Sequence, residues 1–330
     1  MVTISEKKLN EFFDNFKSKK IIVLGDLMLD RYVEGSVSRI SPEAPVPVVE
    51  VNSEFVRLGG AANVAYNLYS MGAQPITIGV VGDDFAGREL LNLMRQFGFD
   101  TEFIFADQNR PTVVKTRIIA NNQHVVRADW ESKEFIQNHL KEKIIAAVQQ
   151  NLKEADALIF EDYNKGLLSK DIIKTVIRLA RDTESIITVD PKFDNFFEYR
   201  SVTLFKPNRK ELETALGTRI KSDQDLERAC KELIERLHSE FLLVTLGENG
   251  MCLLNRAGDF LRIPTKARKV HDVSGAGDTV ISTLTMALAS GSSIPEAITL
   301  ANYAAGAVCE EVGVVPITQE KLKRALRNYR

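Results

Sequence analysis

Six short apolar runs, residues 21–24, 76–81, 157–160, 186–189, 202–205 and 241–244, recur between stretches of helical spacing. Apolar runs this short, alternating with helices, are buried on both faces, so the order predicts a mostly parallel sheet covered on each side. A chain of 330 residues with 44% hydrophobic content fills such a core as one large α/β domain. Open sheets of this class bind ligands beyond the carboxyl ends of their strands. Asp26, Glu161 with Asp162, Asp190 with Lys192, Asn208 and Thr245 all lie just beyond a predicted strand, which gathers polar groups on one rim.

Two segments break this rhythm. Residues 31–58 carry Pro42, Pro45 and Pro47 before Val48-Val49-Glu50-Val51, and residues 112–129 contain two strand-like stretches around the turn-prone pair Asn121-Asn122. They predict a small antiparallel sheet inserted in a single domain of residues 1–330 and acting as a lid. The plainer alternative is a pair of edge strands whose Lys115, Arg117 and Arg127 deter aggregation. An exposed sheet of this kind invites an edge partner and hints at a homodimer.

Leu9, Phe12, Phe13 and Phe16 at helical spacing predict an amphipathic N-terminal helix packed on the domain, unlike a signal peptide. No run has the length of a membrane span. A net charge of −2 offers no global basic field for nucleic acid or membrane surface. Cys230, Cys252 and Cys309 lack metal or disulfide spacing, so a reducing cytoplasm is the expected location.

The motif with the most chemistry is Asp272-Val-Ser-Gly-Ala-Gly-Asp278. Gly275, Ala276 and Gly277 stand where a loop becomes a helix, so backbone N–H groups and the positive end of the helix dipole converge on an anion site. Asp278 would repel that anion as a ligand; it suits a base that takes a proton from an attacking hydroxyl. An ordinary helix cap explains the same string. Gly59-Gly60 lets amides approach a polar ligand, and Asn63 offers a donor and an acceptor to sugar hydroxyls; a simple turn is the alternative. Asn208 and Glu211 have the spacing of a capping box and also of a pair that organises magnesium-bound water. Thr245, Gly247 and Gly250 suit a turn beside a nucleotide phosphate, or a plain hairpin turn. Lys192 could supply a cation to a moving phosphoryl group, and Asn302 lies in a small-residue helix suited to the wall of an adenine slot or to tight packing.

Together these residues resemble the ribokinase, or PfkB, family of carbohydrate kinases over nearly the whole chain. Gly59-Gly60 with Asn63 corresponds to its N-terminal signature, Asn208 with Glu211 to its NxxE motif, and residues 272–278 to its C-terminal signature. The resemblance implies a three-layer αβα sandwich with a β-sheet lid, ATP as donor and Mg²⁺ as cofactor near Asn208 and Glu211. It also implies Asp278 as base and the amides of residues 275–277 as anion hole. Residues 25–32, 38–48, 161–166 and 189–192 are similar to those of the family's heptose kinases, which phosphorylate D-glycero-β-D-manno-heptose 7-phosphate at the C1 hydroxyl for ADP-heptose and lipopolysaccharide synthesis. By that resemblance Asp26, Asp30 and Asn63 hold sugar hydroxyls. The 7-phosphate then needs its own cation, and Arg39, Lys115, Arg117 and Arg127 are the candidates. A kinase of ribose, a nucleoside or a hexose phosphate would share the fold and glycine loop, and a non-catalytic binding regulator would share the fold alone. The acidic residues Glu310 and Glu311 depart from the pattern where adenine contacts and a monovalent-cation site occur in some relatives. None of His124, His139, His238 and His271 lies in a His-x-Gly-His motif, so no nucleotidyltransferase domain is expected.

Overall fold

The computed structural model describes residues 2–121, 123–266, 272–311 and 313–328. Asn122 of the expected turn pair and His271 lie outside the described residues. The strands are β1 (Lys20–Gly25), β2 (Leu27–Ile40), β3 (Pro47–Gly60), β4 (Gln74–Gly82), β5 (Ile104–Asp107), β6 (Val113–Ala120), β7 (Gln123–Trp130), β8 (Ala157–Glu161), β9 (Ile186–Asp190), β10 (Leu204–Phe205), β11 (Phe241–Thr245), β12 (Met251–Asn255) and β13 (Phe260–Ile263). The helices are α1 (Glu6–Phe16), α2 (Ala61–Ser70), α3 (Phe85–Gln96), α4 (Asn138–Asn151), α5 (Lys170–Asp182), α6 (Arg209–Leu216), α7 (Asp223–Leu237), α8 (Ala276–Ala289), α9 (Ile294–Val308) and α10 (Gln319–Asn328).

The larger sheet has the order β13-β12-β11-β10-β9-β8-β1-β4-β5. It is parallel from β5 to β11, and β12 and β13 extend it by antiparallel pairing. Alternation along each strand sorts side chains into two cores. Ile21, Val23, Ala157 and Ile159 join the cluster under α1, α2, α8, α9 and α10. Ile22, Leu24, Leu158 and Phe160 join the cluster under α4, α5 and α7. Leu9, Phe12, Phe13 and Phe16 pack into the first of these, as the N-terminal periodicity anticipates. Among the described residues, no helix is long and apolar enough to cross a membrane.

The smaller sheet has the order β3-β2-β6-β7. Its outer ladders are antiparallel, while its central pair, β2 with β6, is parallel. The two long strands reach past residues 31–58 and back into the core, since Leu27, Met28, Leu29 and Leu58 are buried. Val51, Val126 and Trp130 on its edge strands are exposed, which is where the expected second copy would have to dock.

Asp84 fixes the root of β6. Its carboxylate accepts the Gly87 N–H at 2.7 Å as the cap of α3, and the Thr112 N–H and hydroxyl at 2.8 and 2.7 Å. Burial pushes its pKa up, but the Thr112 and Gly87 bonds outweigh this and hold it below the ordinary carboxylate range. A depressed folded pKa means stability that is present above the unfolded pKa and lost as pH falls through the folded one. Asp84→Ala is therefore expected to cost about 1–2 kcal/mol near neutrality. In urea melts the penalty should shrink in acid; a penalty that grew there would contradict this role.

Candidate active site

Helix α8 begins where the sequence motif places a loop-to-helix junction. Gly275 caps it with φ of 77°, and a Cβ there would lie 3.0 Å from Asn63 Nδ2, so the position requires glycine on both counts. The Ala276 N–H is spent on the Val273 carbonyl at 3.2 Å, so of the expected hole residues Ala276 contributes a turn. Gly277 opens onto the rim: a Cβ there would have Asp190 Oδ2 and Lys206 Nζ each at 3.6 Å. Asp278 stands in the first turn, buried, on a helix whose residues from Asp278 to Ala287 are all buried.

Asn63, on α2, donates to Asp278 Oδ2 at 2.7 Å, and the Tyr163 hydroxyl donates to Oδ1 at 3.0 Å. Burial raises the Asp278 pKa, and the nearby Asp190 charge adds to this against the bonds from Asn63 and Tyr163. A carboxylate so raised is more basic than an ordinary one.

Five charged residues from the ends of neighbouring segments line the same rim. Lys206 Nζ lies 2.7 Å from Asp190 Oδ2, and both side chains are almost fully buried. Lys192 Nζ lies 2.9 Å from Glu211 Oε1 and 4.0 Å from Asp190. Burial would lower the Lys192 pKa, but Asp190 and Glu211 hold it above the ordinary lysine value. Asn208 and Glu211 form the reciprocal capping box of α6, with Oδ1 of Asn208 accepting at 2.9 Å and Oε2 of Glu211 accepting at 2.8 Å. Glu161, at the end of β8, is 0% exposed and neither carboxylate oxygen has a hydrogen-bond partner among the described residues. Its carboxylate, Asp190 and Asp278 each offer an oxygen within 4.8 Å of the others. Burial, then the charges of Asp190 and Asp278, push the Glu161 pKa well above the usual carboxylate value.

The loop after β8 carries Tyr163 and is tightly held. Asp26 Oδ2 accepts the Tyr163 and Lys165 N–H groups at 2.8 and 3.0 Å. Asp26, expected to hold sugar hydroxyls, thus has its Oδ2 on the backbone of this loop. Asp162 accepts the Tyr199 hydroxyl at 2.6 Å, and burial with the Asp26 charge pushes its pKa up to about 7.

Asp30 is buried and ion-paired with Arg117 of β6. A Cβ on Gly59 would sit 2.5 Å from Asp30 Oδ2, so glycine here makes room for the carboxylate; Gly60 has φ of 56°. Lys115, two residues from Arg117 on the same strand face, lies 4.7 Å from the centre of the Tyr163 ring, and Lys192 lies 4.9 Å from it. Arg39 and Arg127 do not join them. They are exposed and face Glu50 at 3.8 Å and Asp129 at 2.9 Å respectively.

The turn carrying Thr245, Gly247 and Gly250 is a hairpin connection between antiparallel β11 and β12, held beside Asn208 by the Thr245 N–H donating to the Pro207 carbonyl at 3.0 Å. Gly250 has φ of 78°, and a Cβ there would run into the Ile263 carbonyl. Asn302 is buried in α9 and donates to the Pro264 carbonyl at 2.8 Å. Sequence reasoning assigned no role to Tyr163 or Lys206. Lys206 directly follows β10, so its place on the polar rim was the available signal.

The pfkB family carbohydrate kinase model matches residues 18–321. The bifunctional protein HldE of Paramagnetospirillum magneticum is 41% identical over 318 residues, covering 96% of this chain and 65% of that protein. HldE of Helicobacter pylori is 42% identical over 304 residues, covering 92% of this chain and 65% of that protein. The chain thus spans about two-thirds of the length of these curated relatives, short of the whole. Among solved structures, an Arabidopsis thaliana ribokinase complexed with ribose and ATP superposes with a TM-score of 0.74 at 17% identity, over 94% of this chain and 98% of that one. Phosphofructokinase-2 from Escherichia coli, in complex with substrates and products, gives 0.76 at 16% identity, over 94% and 99%. These two likenesses establish the fold.

Proposed function

The chain belongs to the pfkB family of carbohydrate kinases, and from that premise we propose that it transfers the γ-phosphoryl group of ATP to the C1 hydroxyl of D-glycero-β-D-manno-heptose 7-phosphate. The products are the 1,7-bisphosphate and ADP. The observation that carries the kinase part is the buried Asp278 carboxylate at the start of α8, aimed by Asn63 and Tyr163. The acceptor part rests on residues 25–32 and 38–48 and on the pair Lys115 and Arg117, whose charges suit an acceptor that already bears a phosphate.

In this reading Asp278 accepts the C1 hydroxyl proton as that oxygen attacks phosphorus, and the Gly275 and Gly277 amides at the start of α8 face the moving phosphoryl group. Lys192 turns from Glu211 toward the phosphates, while buried Lys206 keeps Asp190 in place. Closure of the small sheet over the acceptor excludes water as a competing nucleophile. The residues present fit a divalent cation, because an unpartnered buried carboxylate stands among other carboxylates on this rim. Asn208 and Glu211 would contribute through water, and Mg²⁺, when bound, offsets charge on the nucleotide phosphates.

The test is ADP release with Mg·ATP and heptose 7-phosphate, beside ribose, fructose 6-phosphate and no acceptor. Strong preference for heptose 7-phosphate is the expected result. Preference for another acceptor would keep the kinase and overturn the heptose assignment.

A further inference from the structure

We propose that the Tyr163 hydroxyl holds the place of the acceptor hydroxyl on Asp278 until the sugar arrives, and so keeps water from being phosphorylated in its stead. This rests on the kinase reading and deepens it, by assigning a positioning residue that ties the use of ATP to the presence of an acceptor.

The two oxygens of the Asp278 carboxylate are held in unlike ways. Oδ2 accepts from Asn63, which is 1% exposed. Behind Asn63, the Asn67 side chain donates to the Asn63 carbonyl at 2.9 Å and accepts the Thr279 hydroxyl at 3.3 Å and the Ile317 N–H at 2.9 Å, all of them buried. An incoming hydroxyl reaches that side only by breaking this network. Among the described residues, the partner of Oδ1 is the Tyr163 hydroxyl at 3.0 Å, and Tyr163 is only half-buried. Oδ1 is therefore the oxygen that an acceptor can approach, and at rest it already has a hydroxyl on it. A phenol and a sugar alcohol offer the same O–H donor to such an oxygen.

The ring is braced from both substrate sides. The Lys115 ammonium, on β6, lies 4.7 Å from the ring centre, and the Lys192 ammonium, just past β9, lies 4.9 Å from it. Both are attractive contacts between a cation and an aromatic ring. In the proposed function these two groups serve the acceptor's phosphate and the phosphates of ATP. With one substrate absent, at least one brace stays on the ring; with both bound, both lysines turn to phosphate oxygens and the phenol yields Oδ1. The Tyr163 N–H stays on Asp26 Oδ2 at 2.8 Å, so the exchange is a rotation of the side chain alone.

Without the phenol, a water beside Oδ1 becomes the nucleophile. Its oxygen attacks the γ-phosphorus, the bond from that phosphorus to the bridging oxygen breaks, ADP leaves, and the water proton passes to Asp278. ADP and inorganic phosphate result, and no sugar is consumed.

The experiment measures phosphate release from Mg·ATP by the whole chain without sugar, beside ADP release with heptose 7-phosphate. Tyr163→Phe keeps the ring and removes only the hydroxyl. It should raise sugar-free hydrolysis by about tenfold or more, the worth of one hydrogen bond to a charged group, while kcat with the sugar changes far less. A tyrosine that merely orients the base would instead lose both activities together. Lys115→Met keeps the hydroxyl but removes one brace, and it should raise sugar-free hydrolysis about two- to fivefold along with the KM for the acceptor. Hydrolysis that stays at the wild-type rate in Tyr163→Phe, or falls in step with kcat, would overturn the proposal. Unchanged hydrolysis in Lys115→Met would overturn the bracing by lysines. The sugar-free measurements do not depend on which acceptor is right, so failure of the heptose assignment leaves them unchanged.

Discussion

Asp278→Asn is expected to lower kcat by about 10² to 10⁴ while leaving the chain folded. Asparagine keeps the shape and an acceptor oxygen, so one of the bonds from Asn63 and Tyr163 persists, and the surrounding helix is unaltered. What disappears is the capacity to take a proton from the acceptor. The loss should therefore fall on kcat, with ATP affinity nearly unchanged, because a proton acceptor acts in the transition state more than in ground-state binding. Steady-state kinetics with ATP titrations check this. Turnover close to wild type in a folded Asp278→Asn protein would remove Asp278 from the role of base.

The second large effect concerns stability. Lys206→Met should destabilise the fold by about 3–5 kcal/mol, because it leaves a buried charge without its partner. Lys206 and Asp190 have side chains only 3% and 7% exposed, and their 2.7 Å contact is the close ammonium contact of the carboxylate trio. Denaturant unfolding in the absence of divalent ions measures the cost. The double variant Lys206→Met with Asp190→Asn should recover much of it, since both charges then leave together. A single-variant cost under about 1 kcal/mol would mean that Asp190 does not depend on Lys206.

Much of the fold is legible in the sequence because strands buried on both faces have a plain signature. β1, β4, β8, β9, β10 and β11 all coincide with short, predominantly apolar runs. The small sheet is less legible. β2 begins and β3 ends inside the core, at buried Leu27 and Leu58, so no change of composition marks where one sheet ends and the other starts. The parallel pairing of β2 with β6 depends on where intervening β4, α3 and β5 place the chain, which local pattern does not encode.

The site shows the same division. Asp278 and Asn63 could be nominated from motifs because glycines and helix starts mark the backbone around them, and the structure brings the two into contact. Lid cations could not be sorted by residue type. Lys115 and Arg117 face the site, whereas Arg39 lies nine residues beyond Asp30 on β2, about 30 Å along an extended strand. Arg127 has Asp129 two residues away on the same face, which neutralises it locally. Asp26 carries a further lesson: a carboxylate at a strand end can serve the backbone of a neighbouring loop as readily as a ligand.

That last arrangement roots the small sheet in the candidate active site. Only Asp26 separates β1 from β2, and the Ala61 N–H, directly after β3, donates to the Asp26 carbonyl at 3.0 Å. The same residue grips the Tyr163 loop through its carboxylate, and Tyr163 in turn touches Asp278. In the proposed mechanism, a swing of the small sheet about this pivot would reach the Asp278 carboxylate over a few bonds, so opening the cleft and disarming the base would be one mechanical event.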